Sequence, residues 1–152
     1  MSHIRIIPEL YSKYIKGTAE EAIVQNVQVL VCNLTVVVMK GINSGCNRVY
    51  INTRVLKHVY DKRPAEEFDF LIEYVHQVIK FPNQVYKNKT GKKGSYVFVK
   101  EIKNKKYLCS IEVKSVDESV HCEIVTFFRV RKEDYLNGYE LLWEWKDGNP
   151  SS

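Results

Sequence analysis

Downstream of Gln84 the chain is a succession of extended segments separated by turns too short to hold a helix, and this constrains the fold more than any other feature. Residues 84–86, 95–102, 107–115, 120–130 and 139–145 are rich in β-branched and aromatic side chains. Lys103-Asn-Lys-Lys106 and Val116-Asp-Glu-Ser119 are the turn sequences between them, and Lys132–Leu136 reads as a helical turn before the last strand. Strands joined by such short connections run antiparallel. Immediately upstream, Phe68, Leu71, Ile72, Val75 and Ile79 recur at helical spacing, which predicts a helix from Ala65 to about Lys80. Pro64 opens that helix and ends a shorter one, capped by Asn52 or Thr53 and running to about Tyr60. Arg48–Ile51 precedes it as a short strand. Helices followed by a meander make an α+β class, with the helices packed on one face of an antiparallel sheet.

Residues 48–146 are expected to form this domain, with 147–152 as a flexible tail. Residues 1–47 read as an N-terminal extension of α/β character with no assigned role. Within it, Thr18-Ala-Glu-Glu21 suggests a helix start and Val27 to Met39 reads as strand.

Side-chain alternation assigns residues to faces. Strict alternation puts Tyr96, Phe98 and Lys100 on a mixed face with Leu108, Ser110, Glu112, Lys114, His121, Glu123, Val125, Phe127 and Arg129. The other face then carries Val97, Val99, Cys109, Ile111, Val113, Cys122, Ile124, Phe128 and Val130, and the helices are expected to cover it. A mixed face of aromatics, bases and acids suits RNA, whose bases stack on rings and whose phosphates require cations.

The charge points the same way. The chain carries +5 overall, yet residues 80–106 hold nine lysines against one acid, Glu101. Such concentration marks a polyanion-binding surface. Lysines guarding the edges of a solvated hairpin would give the same pattern. The longest apolar run, Val36-Val37-Val38-Met39, is far short of a membrane span, and the first residues carry no hydrophobic leader, so a cytosolic protein is expected. Cys32, Cys46, Cys109 and Cys122 lack metal-ligand spacing and read as reduced, structural residues.

Leu56-Lys-His58, Phe81-Pro82-Asn83-Gln-Val-Tyr86, Tyr96-Val-Phe-Val-Lys100-Glu-Ile102, Tyr107-Leu108, Ile124-Val-Thr126-Phe-Phe-Arg129, Tyr135-Leu136 and Leu141-Leu-Trp143 follow one another in an order that resembles the phage and bacterial nucleases of the barnase–EndoU–colicin–RelE group. The resemblance covers roughly residues 48–146. It implies a small ribonuclease, often a toxin and often held by an inhibitor or antitoxin protein, working without metal or cofactor.

Metal-free RNA cleavage uses the 2′-OH of the RNA as nucleophile and leaves a 2′,3′-cyclic phosphate. It needs groups that take and give protons and cations that meet developing phosphate charge. The expected catalytic residues are His58, as base or acid, Lys100 and Arg129, as phosphate clamps, and Thr126, carried over from the resemblance. Alternation sets Thr126 on the apolar face, so either a bulge in Val120–Val130 switches the faces or Thr126 is structural. Arg63, Lys114, His121, Tyr135, Lys92, Lys93 and Lys103 are the expected substrate-binding residues. Two other functions fit the sequence. One is a non-catalytic RNA- or partner-binding domain of the same fold. The other is a magnesium-dependent DNA nuclease using Glu112 and Lys114, an acid and a lysine on one strand face that lack an upstream acidic partner.

Overall fold

A computed structural model describes residues 5–92, 94–117, 119–146 and 149–151. Lys93, one of the expected substrate-binding residues, lies outside them.

The chain is α+β. In order its elements are α1 (Ile6–Tyr14), β1 (Gln28–Asn33), α2 (Val36–Gly41), β2 (Arg48–Asn52), α3 (Thr53–Lys62), α4 (Ala65–Lys80), β3 (Gln84–Lys87), β4 (Tyr96–Ile102), β5 (Lys105–Val116), β6 (Ser119–Val130), β7 (Glu140–Lys146) and β8 (Asn149–Ser151). The strands form one sheet of order β1-β2-β6-β5-β4-β3-β7-β8 over the described residues. The meander β3–β6 is antiparallel as expected, and β2 joins β6 in parallel through Val49 against Cys122 and Tyr50 against Glu123. Among the described residues no helix is long and apolar enough to cross a membrane.

The helices that position the site form for local reasons. Asn52 Oδ1 accepts the Val55 amide and caps α3. Pro64 has extended ψ and separates α3 from α4. The α4 stripe is buried as its spacing predicts, with Phe68, Leu71, Val75 and Ile79 at 1% exposure or less. One buried cluster unites this stripe with Ile7, Leu10, Val31 and Val38 from the first 47 residues and with Trp143 near the C-terminus.

The N-terminal segment differs from its sequence reading. Val27–Met39 is not one strand. It divides at Thr35, whose side chain caps α2, and only Gln28–Asn33 is extended. Three consecutive valines enter a helix because Val38 is buried there and the cap satisfies its amide, so tertiary context overrides their β-propensity. Thr18 starts no helix. Its hydroxyl donates to Ile15 O at 2.6 Å, and Glu21 takes a positive φ of 62° while its amide donates to Asp61. Residues 132–138 form hydrogen-bonded turns. Asn149–Ser151, read from sequence as tail, pairs with β7.

The face assignment also needs correction. The turn between β4 and β5 holds only Lys103 and Asn104, both at positive φ (53° and 68°), so pairing starts at Ile102 opposite Lys105. This register sets Phe98 opposite Cys109 and Cys109 opposite Phe127. The helix-covered face therefore carries Tyr96, Phe98, Lys100, Tyr107, Cys109, Ile111, Ile124, Phe127 and Arg129. A bulge then occurs in β6. Ser110 pairs with Thr126 and Ile111 with Ile124, leaving Val125 extra. The opposite face carries Ser110, Glu112, Lys114, His121, Glu123 and Thr126, with Val97, Val99 and Leu108 toward β3. Tyr135, Leu136 and Tyr139 cover those last three, forming a second small core.

The four cysteines are not all reduced. Cys46 and Cys122 form a disulfide across 76 residues. The parallel pairing of β2 with β6 brings the segment before β2 against Cys122, a contact that sequence spacing does not reveal. Cys32 and Cys109 are free and buried in the core.

Candidate active site

The open face of β5 and β6 holds a charged cluster next to the bulge. The Glu123 carboxylate meets His121 Nε2 at 2.8 Å with one oxygen and Lys114 Nζ at 3.2 Å with the other. Strand alternation puts His121 and Glu123 on one face, and antiparallel register sets Lys114 opposite His121 and Glu112 opposite Glu123. Tyr50, on the neighbouring strand, packs its ring at 86° to the imidazole with centroids 5.5 Å apart. The imidazole is thus held on one side by an aromatic ring and on the other by a carboxylate. Its side chain remains 21% exposed, against 16% for Glu123. Partial burial works to raise the Glu123 pKa, but hydrogen bonds from His121 and Lys114 and their charges outweigh it. The carboxyl is therefore held below its ordinary value and stays ionised.

A concavity of about 470 Å³ adjoins this cluster. Asn52, Val55, Ser95, Lys92, Glu112 and Lys114 are among its lining residues, so α3, the β3–β4 loop and the sheet all contribute. The loop is fastened to β5. Ser95 N donates to Ile111 O at 2.7 Å, Val113 N donates to Ser95 Oγ at 3.1 Å, and Asn88 Nδ2 donates to Gly94 O at 3.2 Å. Gly94 has a φ of +95°, and a Cβ there would stand 2.3 Å from Ser110 Oγ, so only glycine lets the loop lie this close.

Thr126 is on the open face with Ser110, its cross-strand neighbour. Of the two alternatives that the sequence left open, a bulge is present, and it puts Thr126 with His121 and Lys114 while Lys100 and Arg129 remain on the other face. Arg63 follows α3 and sets its guanidinium 4.7 Å from the centre of the Phe128 ring, which in turn packs edge-on against Tyr135. These three residues occupy the open side near the small second core. His58 is exposed on α3, one helical turn beyond Val55, and its charge helps to lower the Asp61 pKa.

Lys100 and Arg129 do not join this group. In register they flank Tyr107 on the helix-covered face. Lys100 Nζ donates to Phe81 O at 2.7 Å, and burial lowers its pKa. Lys103 lies at the β4–β5 turn. The structure therefore gathers Lys114, His121, Thr126 and Lys92 around one face, with Arg63 and Tyr135 at its margins, and separates Lys100, Lys103 and Arg129 from them; His58 lies on α3 near Asp61 and does not line the concavity.

Alternation places Glu123 on the mixed face and assigns it no role, and nothing in the sequence marks Tyr50, Asn52 or Ser95 as site residues. The signal for Glu123 was present: a histidine and an acid two apart on a strand share a face and can bond directly. Glu112 faces Glu123 across the strands. Among the described residues, no group of three or more histidine, cysteine, aspartate or glutamate side chains is arranged to hold a metal ion.

The family model for phage-Barnase-EndoU-ColicinE5/D-RelE like nuclease 3 matches residues 34–135. No curated protein and no solved structure matches the chain.

Proposed function

The chain belongs to the phage barnase–EndoU–colicin E5/D–RelE-like nucleases, and from that premise we propose that it is a metal-independent endoribonuclease acting at the open sheet face. The observation that carries this reading is the bridge from Glu123 to both His121 and Lys114. A carboxylate on one ring nitrogen orients the imidazole and leaves the other nitrogen to exchange a proton with substrate.

In the proposed reaction His121 takes the proton from a ribose 2′-OH, and the freed oxygen attacks the adjacent phosphorus. The P–O5′ bond breaks, the leaving oxygen gains a proton, and a 2′,3′-cyclic phosphate remains. Lys114 stands where it can offset charge on the phosphate oxygens, and Thr126 offers a hydroxyl group on the same face. His58, exposed on α3 one helical turn beyond Val55, is the proposed second proton-transfer group. Arg63 and Lys92 bind backbone phosphates, and Tyr135 contacts a base. Lys100 has no part in the reaction in this scheme, because its ammonium is committed to the Phe81 carbonyl on the other face.

A toxin-like role, restrained by an inhibitor or antitoxin protein, accompanies this reading, and the family supports it. The test is incubation of the full chain with RNA and with DNA, each in EDTA and in magnesium. RNA cleavage in EDTA with cyclic-phosphate ends, lowered on the order of 10²-fold in His121→Ala and in His58→Ala, is the expected result. RNA binding without cleavage in either condition points to a binding domain. Cleavage of DNA only in magnesium, abolished by Glu112→Ala, points to the metal-dependent nuclease.

A further inference from the structure

A second cationic concavity lies on the helix-covered face, between the first turn of α4 and the β4–β5 turn. It measures about 350 Å³ and brings together Lys103, Lys105, Arg129 and Arg131, with Glu66 and Glu67 as its acids. Glu67 is buried and already engaged: it accepts Arg131 Nη2 through one oxygen and the Arg129 amide through the other. Lys103, Lys105 and the Arg129 guanidinium enter no ion pair among the described residues. Among the described residues Arg129 Nε is buried with no hydrogen-bond partner. A buried donor in that state gains from any acceptor that enters.

The chemistry of the walls selects the ligand. Phe70 is stacked between Tyr74 and Tyr107, at 4.5 and 4.7 Å, so neither of its faces is free to receive a base. Cations without a free ring face suit a phosphate and not a nucleobase. Lys103 lines this concavity and also a neighbouring one of about 440 Å³ that includes Gln84, Glu101 and Lys106. Lys103 thus stands between the two concavities at the hairpin tip.

We propose that this concavity is an exosite for the RNA backbone, and that the substrate is a folded RNA long enough to hold a phosphate here while another segment occupies the open face. The proposal rests on the ribonuclease reading for the identity of the polyanion. Glu123 and Arg129 are six residues apart on β6, about 20 Å along the strand, and their side chains are on opposite faces. A tetranucleotide engaged at Glu123 cannot reach Arg129; a folded hairpin RNA passing around the β4–β5 turn can.

The experiment measures binding, so it remains readable if cleavage fails. The full chain carrying His121→Ala is titrated by fluorescence anisotropy against a single-stranded tetranucleotide and a folded hairpin RNA, at several salt concentrations. Adding Arg129→Ala is expected to weaken hairpin binding by about tenfold and to lower the slope of log affinity against log salt by about one. Tetranucleotide binding is expected to stay the same. Lys103→Gln with Lys105→Gln, both exposed positions, is expected to act in the same direction and guards against a folding defect in the arginine variant. Equal loss for both RNAs, loss for neither, or absence of hairpin binding from the start would overturn the exosite. Absence of cleavage by wild type, with these binding differences intact, would overturn the ribonuclease reading alone.

Discussion

His121 and Glu123 bond directly on the open face of β6, Nε2 to Oε2 at 2.8 Å, with Lys114 on the second carboxylate oxygen. Glu123→Gln preserves the shape and removes the charge. Cleavage of RNA is expected to fall on the order of 10²-fold while RNA affinity changes little; single-turnover rates and anisotropy give the two quantities. A loss confined to affinity would assign Glu123 to substrate holding. The pH dependence of stability has a defined sign. Because the folded-state pKa is lowered, the carboxylate contributes stability that is fully present above 4.5, the ordinary glutamate value, and is lost as pH falls through the lower folded value. Urea midpoints of wild type and Glu123→Gln are therefore expected to differ at neutral pH and to converge in acid.

Gly94 sets how closely the β3–β4 loop approaches the same face. Gly94→Ala requires a side chain at φ +95° and a Cβ 2.3 Å from Ser110 Oγ. The expected cost is about 1–3 kcal/mol in urea unfolding, with a fall in cleavage as Ser95 and Lys92 shift. Ser110→Ala in the Gly94→Ala background removes the clashing oxygen and is expected to recover part of the stability. No recovery would place the whole cost in the backbone conformation.

The parts of the fold legible in the sequence were those where one local signal decides. Pro64 and the stripe from Phe68 to Ile79 located α4 to the residue, because its core face and its stop signals are both local. The faces of the sheet were not legible, because alternation along one strand does not fix its pairing with the next. The pairing of Ile102 with Lys105 sets Lys100 beside Tyr107 and not beside Leu108, and the extra Val125 reverses the alternation within β6, which separates Arg129 from His121. The α2 helix escaped for a different reason: valine triplets favour strands until burial and a threonine cap override them. Strand alternation together with residue type singles out Lys114 and His121, whereas Tyr50 and Asn52 reach the site only through the parallel β2–β6 pairing.

The disulfide makes an independent prediction. Unfolded chain, alkylated without reductant, is expected to expose two thiols, those of Cys32 and Cys109. In the folded chain both resist alkylation at mildly alkaline pH, since burial pushes the Cys32 thiol up to about 12 and raises Cys109 strongly as well. The bond between Cys46 and Cys122 closes a loop of 76 residues. Chain entropy alone makes its contribution about 4.5 kcal/mol. Reduction, or Cys46→Ser, is expected to lower the urea midpoint accordingly, and the two should not add. Four thiols in the unreduced protein would contradict the pairing.

A buried ion pair holds the first residues to α3, the helix that carries His58. Lys57 Nζ lies 2.7 Å from Asp61 Oδ1 and 2.6 Å from Ala19 O, and Asp61 Oδ2 accepts the Glu21 amide at 3.0 Å. The two charged side chains are 7% and 8% exposed, so removing either charge leaves its partner buried without compensation. Asp61→Asn is expected to destabilise the chain by about 3 kcal/mol. Burial acts to raise the Asp61 pKa, but the Lys57 and Glu21 hydrogen bonds and the charges of Lys57 and His58 outweigh it and hold the value below 3.8. The stabilisation is therefore complete above 3.8 and disappears as pH falls through the folded value. Wild type should lose stability across that acid range more steeply than Asp61→Asn. If residues 19–21 detach in the variant, hydrogen exchange at the Glu21 amide rises at neutral pH while amides in the α4 core remain protected. Equal acid dependence in the two proteins would show that this ion pair contributes nothing net to the attachment.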